Sequence, residues 1–159
     1  MGSIFLGGTC GSNDWREGFI DSLVKRGVPE ADLFNPVVKD WNAEAQAREE
    51  EAKDTATCLF FYLGSPEKGS KALSAYSMVE ATMALYDKPE RTVVVFDYTG
   101  IPDAARKSLE QTEQVLRTRF PDAAIVQGLE EAENLLVARF GAEGTVARVA
   151  SRFRKAHEG

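Results

Sequence analysis

A glutamate set into an apolar helix stripe is the first residue that asks for a chemical explanation. In the segment SAYSMVEATMA (74–84), residues three and four apart share a helix face, which puts Tyr76, Val79, Glu80, Met83 and Ala84 on one stripe. A carboxylate facing inward needs a partner, a polar pocket or a raised pKa. Glu80 therefore either serves a site or sits at the edge of the stripe and bonds a neighbouring helix or loop. Tyr76, one turn earlier, either borders such a site or packs in the core with its hydroxyl satisfied. A second cluster lies near the start of the chain, where Gly7, Gly8 and Thr9 open the turn GGTCGS (7–12). Its glycines allow sharp bends and the close approach of a ligand. Asn13, Asp14 and Arg16 follow at the beginning of a predicted helix, where free backbone donors favour anions. Arg16 there either meets a phosphate or pairs with Asp14 or Glu17.

Several other chemistries find no support in the residue types. The glycine turn lacks the Lys-Ser/Thr ending of a phosphate-cradling Walker loop, and GGTCG is not a dinucleotide fingerprint. The single histidine, His157, lies within the last three residues and is poorly placed to complete a serine or cysteine triad. No Cys/His cluster has metal-ligand spacing and the acidic residues show no calcium-loop pattern, so no metal is implied. Cys10 and Cys58 are the only cysteines and read as two free thiols rather than a secreted disulfide framework.

The elements that must position these residues alternate regularly. Ser3 to Leu6 reads as a short buried strand, and Trp15, Phe19, Leu23 and Val24 then recur at helical spacing as far as Gly27. A second short strand fits Asp32 to Phe34 and ends at Asn35-Pro36. Trp41 to Lys53 is rich in helix formers, with Glu49 and Lys53 placed to pair one turn apart. The uninterrupted apolar run Cys58 to Leu63 predicts a central strand covered on both faces. Lys71 to Tyr86 is predicted helical, Arg91 to Phe96 a strand, Pro102 to Arg119 a helix with Leu109, Val115 and Leu116 inward, and Ala123 to Val126 a weaker strand. From Leu129 to His157 the chain reads as helix with a break near Gly141 and Gly144. Alternation with right-handed crossovers predicts a three-layer α/β fold, flavodoxin-like or Rossmann-like, with a parallel sheet of about five strands in the order 2-1-3-4-5 and helices on both faces. In that order a crevice opens beyond the carboxyl ends of strands 1 and 3. Gly7 to Ser12 and Leu63 to Ser65 are expected to line it.

The 159 residues suit one domain, spanning 1–159, and the 43% hydrophobic and 28% charged content is that of an ordinary globular chain. No apolar run approaches the length of a membrane helix, and the start MGSIFLGG has no export signal, which predicts a cytoplasmic protein. A net charge of −6 and a pI near 4.9 disfavour a nucleic-acid polymer as ligand and point to a small molecule. The basic residues Arg148, Arg152, Arg154 and Lys155 read as a solvated helix face.

Four segments occur together in order: IFLGGTCGSNDWR, LFNPVVKDWNAEAQAREEE, CLFFYLGSP and SAYSMVEATMAL. This series, from residue 4 to about residue 97, resembles the nucleoside 2-deoxyribosyltransferase-like family. The resemblance implies a retaining displacement in which a glutamate on the helix after the third strand attacks C1′ of a sugar, the base departs, and a second base or water accepts the sugar. Glu80 matches that glutamate. A second group must protonate the leaving base, and Asp40, Glu49 and Glu50 are the candidates, with Asp40 preferred. The resemblance also implies that Ser77 lies near the sugar. By their own positions Tyr76 holds the Glu80 carboxylate, borders the sugar or packs in the core, and Gly7, Gly8, Thr9 and Ser65 are expected as pocket walls. Asn13 and Arg16 stand at a helix start suited to a 5′-phosphate if the substrate is a nucleotide. Trp15 and Trp41 either stack on a base or belong to the core. Some members carry an aspartate six residues before the glutamate; here that place is Ser74, which puts the sugar-hydroxyl contact and a strict deoxyribose preference in question. No cofactor is implied, a free nucleobase is a possible acceptor, and a homo-oligomer of at least two subunits is expected, with a neighbour helping to close the pocket. Two rivals remain: a hydrolase acting on nucleoside 5′-monophosphates, and a nucleotide-binding module without turnover.

Overall fold

A computed structural model describes residues 2–9, 15–65 and 73–142. The chain runs β1 (Ile4–Gly8), α1 (Trp15–Lys25), β2 (Leu33–Phe34), α2 (Ala43–Thr55), β3 (Cys58–Leu63), α3 (Ala75–Asp87), β4 (Thr92–Phe96), α4 (Asp103–Arg119), β5 (Ala124–Gln127) and α5 (Gly128–Phe140), with short 3-10 turns before β2 and β4. All strand pairs are parallel and the order is β2-β1-β3-β4-β5. The expected flavodoxin-like three-layer arrangement is therefore the one observed. Among the described residues no helix is long and apolar enough to cross a membrane.

Strand alternation divides the core into two layers. Phe5, Leu59, Phe61, Val94, Phe96 and Ile125 face α3 and α4, with Ala52 of α2 packed alongside. Ile4, Leu6, Phe60, Val93, Val95 and Val126 face α1 and α5. All six residues of β3 are buried, as a strand covered on both faces requires. Cys58 opens that strand, and burial pushes its thiol up to about 12, so it is a small core residue rather than a nucleophile. Cys10 and the chain beyond residue 142 lie outside the described residues.

Two helix faces differ from the sequence reading. On α4 the inward residues are Leu109, Glu113 and Leu116, whereas Val115 is exposed. Six residues on from Leu109, Val115 is rotated by roughly 240° at 3.6 residues per turn, far from the inward stripe. On α3 the buried face is Ser77, Ala81, Ala84 and Leu85, while Tyr76, Val79 and Met83 are each more than half exposed. Small side chains let α3 lie close on the sheet, so its larger apolar residues point away, and Glu80 falls on the seam between the two faces.

Glu113 secures α4 to the edge of the sheet. Its carboxylate accepts from the Tyr98 hydroxyl at 2.7 Å, Arg117 Nε at 2.7 Å and Gln127 Nε2 at 3.0 Å. Burial alone would raise its pKa, but these bonds and the Arg117 charge outweigh it and hold the carboxyl below the ordinary glutamate value. A depressed folded value means that the stabilisation is complete above the ordinary value and is lost as pH falls through the folded one. Glu113→Gln should therefore cost about 2 kcal/mol near neutrality, and its melting-temperature gap from wild type should close on acidification. A gap that stays constant with pH would contradict this account.

Candidate active site

Glu80 occupies the second turn of α3, which starts at an N-cap built from Ser74. The Ser74 hydroxyl accepts from the Ser77 backbone N–H at 3.2 Å, and the two serine hydroxyls are 2.8 Å apart. Ser74, six residues before Glu80, thus has a structural use as the helix cap. Ser77 is buried in the same cap, so its hydroxyl serves the helix start.

From that start α3 runs back along the sheet, antiparallel to the strands, and the rise of about 1.5 Å per residue carries Glu80 some way below the carboxyl edge. It lines a cleft of about 260 Å³ between α2 and α3, floored by Leu59 and Phe61 of β3. Glu50, Lys53, Tyr76, Val79 and Met83 form much of the wall, and Asp54, Asp87 and Lys88 close the far end. This cleft is distinct from the crevice expected beyond the strand ends, whose loops 10–14 and 66–72 lie outside the described residues. The cleft with the carboxylate opens on the flank of the sheet, and Gly7, Gly8, Thr9 and Ser65 are not part of its described lining.

Those four residues have other surroundings. Thr9 is buried and joins the ends of β1 and β3, its hydroxyl donating to the Gly64 carbonyl at 2.9 Å. Gly8 has φ +111°, and a Cβ there would collide with the backbone of Tyr62, so only glycine lets the two strands run this close. A Cβ on Gly7 would press into the rings of Phe5 and Phe61. Ser65 is half-buried just past β3.

Among the described residues, one cation meets the carboxylate inside the cleft. Lys53 Nζ lies 2.6 Å from Glu80 Oε2, 3.0 Å from Glu49 and 3.4 Å from Glu50. The side chains of Glu80 and Lys53 are only 17% and 16% exposed, whereas Glu50 is 61% exposed. Oε2 itself is sealed from solvent and receives no well-directed hydrogen bond, so charge attraction defines its contact with the lysine. Burial would discharge Lys53, but its contacts with Glu80 and Glu49 outweigh that and hold the ammonium well above the ordinary lysine value. The stem of Lys53 brings Nζ within 5.6 Å of the Phe5 ring centre, and Lys88 Nζ reaches the carbonyls of Lys53 and Asp54 at 3.4 and 3.3 Å, tying the end of α2 to the end of α3.

The remaining sequence candidates are placed as follows. Tyr76 lines the mouth of the cleft and is exposed rather than core. Glu50 lines it as well, and Glu49 reaches it through Lys53. Asp40 and Trp41 are exposed on the loop before Asn42, the N-cap of α2, and neither belongs to the described lining. The cleft uses the other end of that helix, roughly 16 Å away at 1.5 Å per residue. Trp15 is core: its ring packs 4.7 Å from that of Tyr62 and 5.8 Å from Phe60, and its Nε1 donates to the Thr9 carbonyl at 2.9 Å. Arg16 is 1% exposed and spends its guanidinium on the backbone carbonyls of Leu6, Gly8 and Thr9 at 2.9, 3.1 and 3.2 Å. That placement gives Arg16 a structural role, bracing the end of β1. Asn13 and Asp14 lie outside the described residues.

Lys53 is the residue that sequence reasoning missed. Its pairing with Glu49 one turn back was legible, and it read as a solvated face. The contact with Glu80 joins positions 27 apart and depends on how α2 lies against α3, for which the sequence holds no local signal.

No curated protein matches the chain. A family model described as nucleoside 2-deoxyribosyltransferase like matches residues 2–98, which is more than half of the chain and runs from β1 through β4, including Lys53 and Glu80. The chain belongs to the nucleoside 2-deoxyribosyltransferase-like family.

Proposed function

We propose that this protein is a glycosyl-transferring or glycosyl-hydrolysing enzyme that cleaves the N-glycosidic bond of a nucleoside through Glu80. The observation that supports the reading most is a nearly buried carboxylate on the wall of a partly apolar cleft, held by a lysine and with one oxygen unavailable to solvent. In the first step a Glu80 oxygen attacks C1′, the C1′–N bond breaks, and its electron pair leaves with the base, which takes a proton from a second group. Glu50, which lines the cleft where Asp40 does not, is the candidate donor in its protonated form. In the second step water or another base attacks the glycosyl ester and frees Glu80. A carboxylate suits this work because it stabilises an oxocarbenium-like centre and divides one hard displacement into two easier ones.

The cleft is smaller than the roughly 300–1,000 Å³ common for small-molecule sites, and Tyr76, Val79 and Met83 leave its mouth apolar and open. A second copy of the chain covering that mouth would enlarge and dry the site, which is why a homo-oligomer is part of the proposal. The test is incubation with the four 2′-deoxynucleosides, the ribonucleosides and their 5′-monophosphates, with and without a free acceptor base, followed by separation of the products. New nucleoside formed only with acceptor identifies transfer, and free sugar without acceptor identifies hydrolysis. Absence of base release from every substrate at high enzyme concentration would refute the enzymatic reading and leave a binding module.

A further inference from the structure

The contacts of Lys53 reach beyond an ordinary surface ion pair. Among the described residues it is the one cation in contact with Glu80, and it touches Glu49 and Glu50 from the same helix at the same time. Its Nζ engages Oε2, the oxygen sealed from solvent, so any attack on a substrate is left to Oε1. We infer that Lys53 is a positioning residue for Glu80: it fixes the carboxylate by one oxygen so that the other is aimed into the cleft. This rests on the reading of Glu80 as nucleophile given above.

The charges around the lysine fit such a role through both steps. Before attack, the ammonium faces two poorly exposed carboxylates, Glu80 and Glu49. When the Oε1–C1′ bond forms, Glu80 becomes a neutral ester, and the C1′–N pair departs with the base. Lys53 then keeps Glu49 as its counter-charge, so it need not release a proton and stays in place as an ammonium. Hydrolysis or transfer restores the Glu80 carboxylate beside it. Glu49 is thus the anchor that keeps the lysine charged and located while Glu80 is covalently occupied. The proton for the leaving base comes from another group, since Lys53 is bound to the nucleophile itself and retains all three of its protons. A displacement of the attacking oxygen by about 1 Å is enough to cost roughly 10²-fold in rate, which sets the scale of the effect.

The experiment measures kcat and KM for base release from the four 2′-deoxynucleosides and their 5′-monophosphates, using wild type, Lys53→Met, Lys53→Arg and Glu80→Gln, with a thermal melt for each. Lys53→Met should lower kcat about 10²-fold with KM within about threefold of wild type, and Lys53→Arg should recover about 10-fold of that loss. A purely structural lysine would lower the melting temperature without this split and without rescue by arginine. If Lys53→Met does not fold, Lys53→Gln replaces it under the same criteria. Wild-type kcat in the folded Lys53 variants, alongside an inactive Glu80→Gln, would overturn the positioning role and leave the Glu80 reading standing. Full activity in Glu80→Gln, or no base release by wild type, would remove both.

Discussion

Glu80→Gln will abolish base release, lowering kcat by roughly 10³-fold or more, which corresponds to at least about 4 kcal/mol of lost transition-state stabilisation. The amide keeps the size and shape of the side chain but has no negative charge to develop a bond with an electron-poor anomeric carbon. Stability should change little. Glu80 is partly exposed, and Lys53 keeps Glu49 and Glu50 as partners after the substitution, so no buried charge is stranded. The melting temperature should therefore stay within a few degrees of wild type. A second readout is independent of turnover: rapid acid quenching of wild type with a substrate, followed by peptide mapping, should place a glycosyl adduct on the α3 peptide that contains Glu80. Undiminished base release by Glu80→Gln would end the proposal, and an adduct on another carboxylate would move the nucleophile.

Much of this architecture could be read before any coordinates. The run from Cys58 to Leu63 forms β3 without a residue gained or lost, and helices alternating with short strands led to the observed sheet order. These features are legible because they depend on period and on strong punctuation such as Asn35-Pro36. The site was legible only in part. Glu80 stood out as a charge on a helix that is otherwise apolar at that height, and it does line a cleft. Which apolar stripe of α3 faces inward was not decidable from periodicity, because the helix has two: a small one of Ala81 and Ala84, and a large one of Tyr76, Val79 and Met83. Packing distance chose the small one. The same choice set Glu80 in the cleft on the flank between α2 and α3, brought Lys53 to the carboxylate, and left Asp40 at the far end of α2.

The clearest difference between a composition-based role and a structural one concerns Arg16, and it leads to the second large effect. β2 is only two residues long and pairs with Ile4 and Phe5, so its ladder with β1 ends at Phe5. The carbonyls of residues 6 and 8 point to the same side of a strand, and Arg16 supplies the donors that a longer β2 would have supplied, through Nε to Leu6 and a terminal nitrogen to Gly8. The remaining nitrogen reaches Thr9, and the guanidinium lies 4.6 Å from the centre of the Trp15 ring. Arg16→Met should therefore cost roughly 3–5 kcal/mol, because buried carbonyls lose their partners, and lower the melting temperature by roughly 10 °C. Arg16→Lys should not repair it, since a single ammonium cannot present donors in the planar fork that three carbonyls use. If Arg16 instead held a substrate phosphate, the methionine variant would melt like wild type and lose turnover of 5′-monophosphates while keeping that of nucleosides. Melting curves together with the nucleotide-to-nucleoside rate ratio separate these outcomes. The buried guanidinium predicts a large shift in the first and none in the second, because the residue at the head of α1 holds the strand beneath it rather than the ligand beyond it.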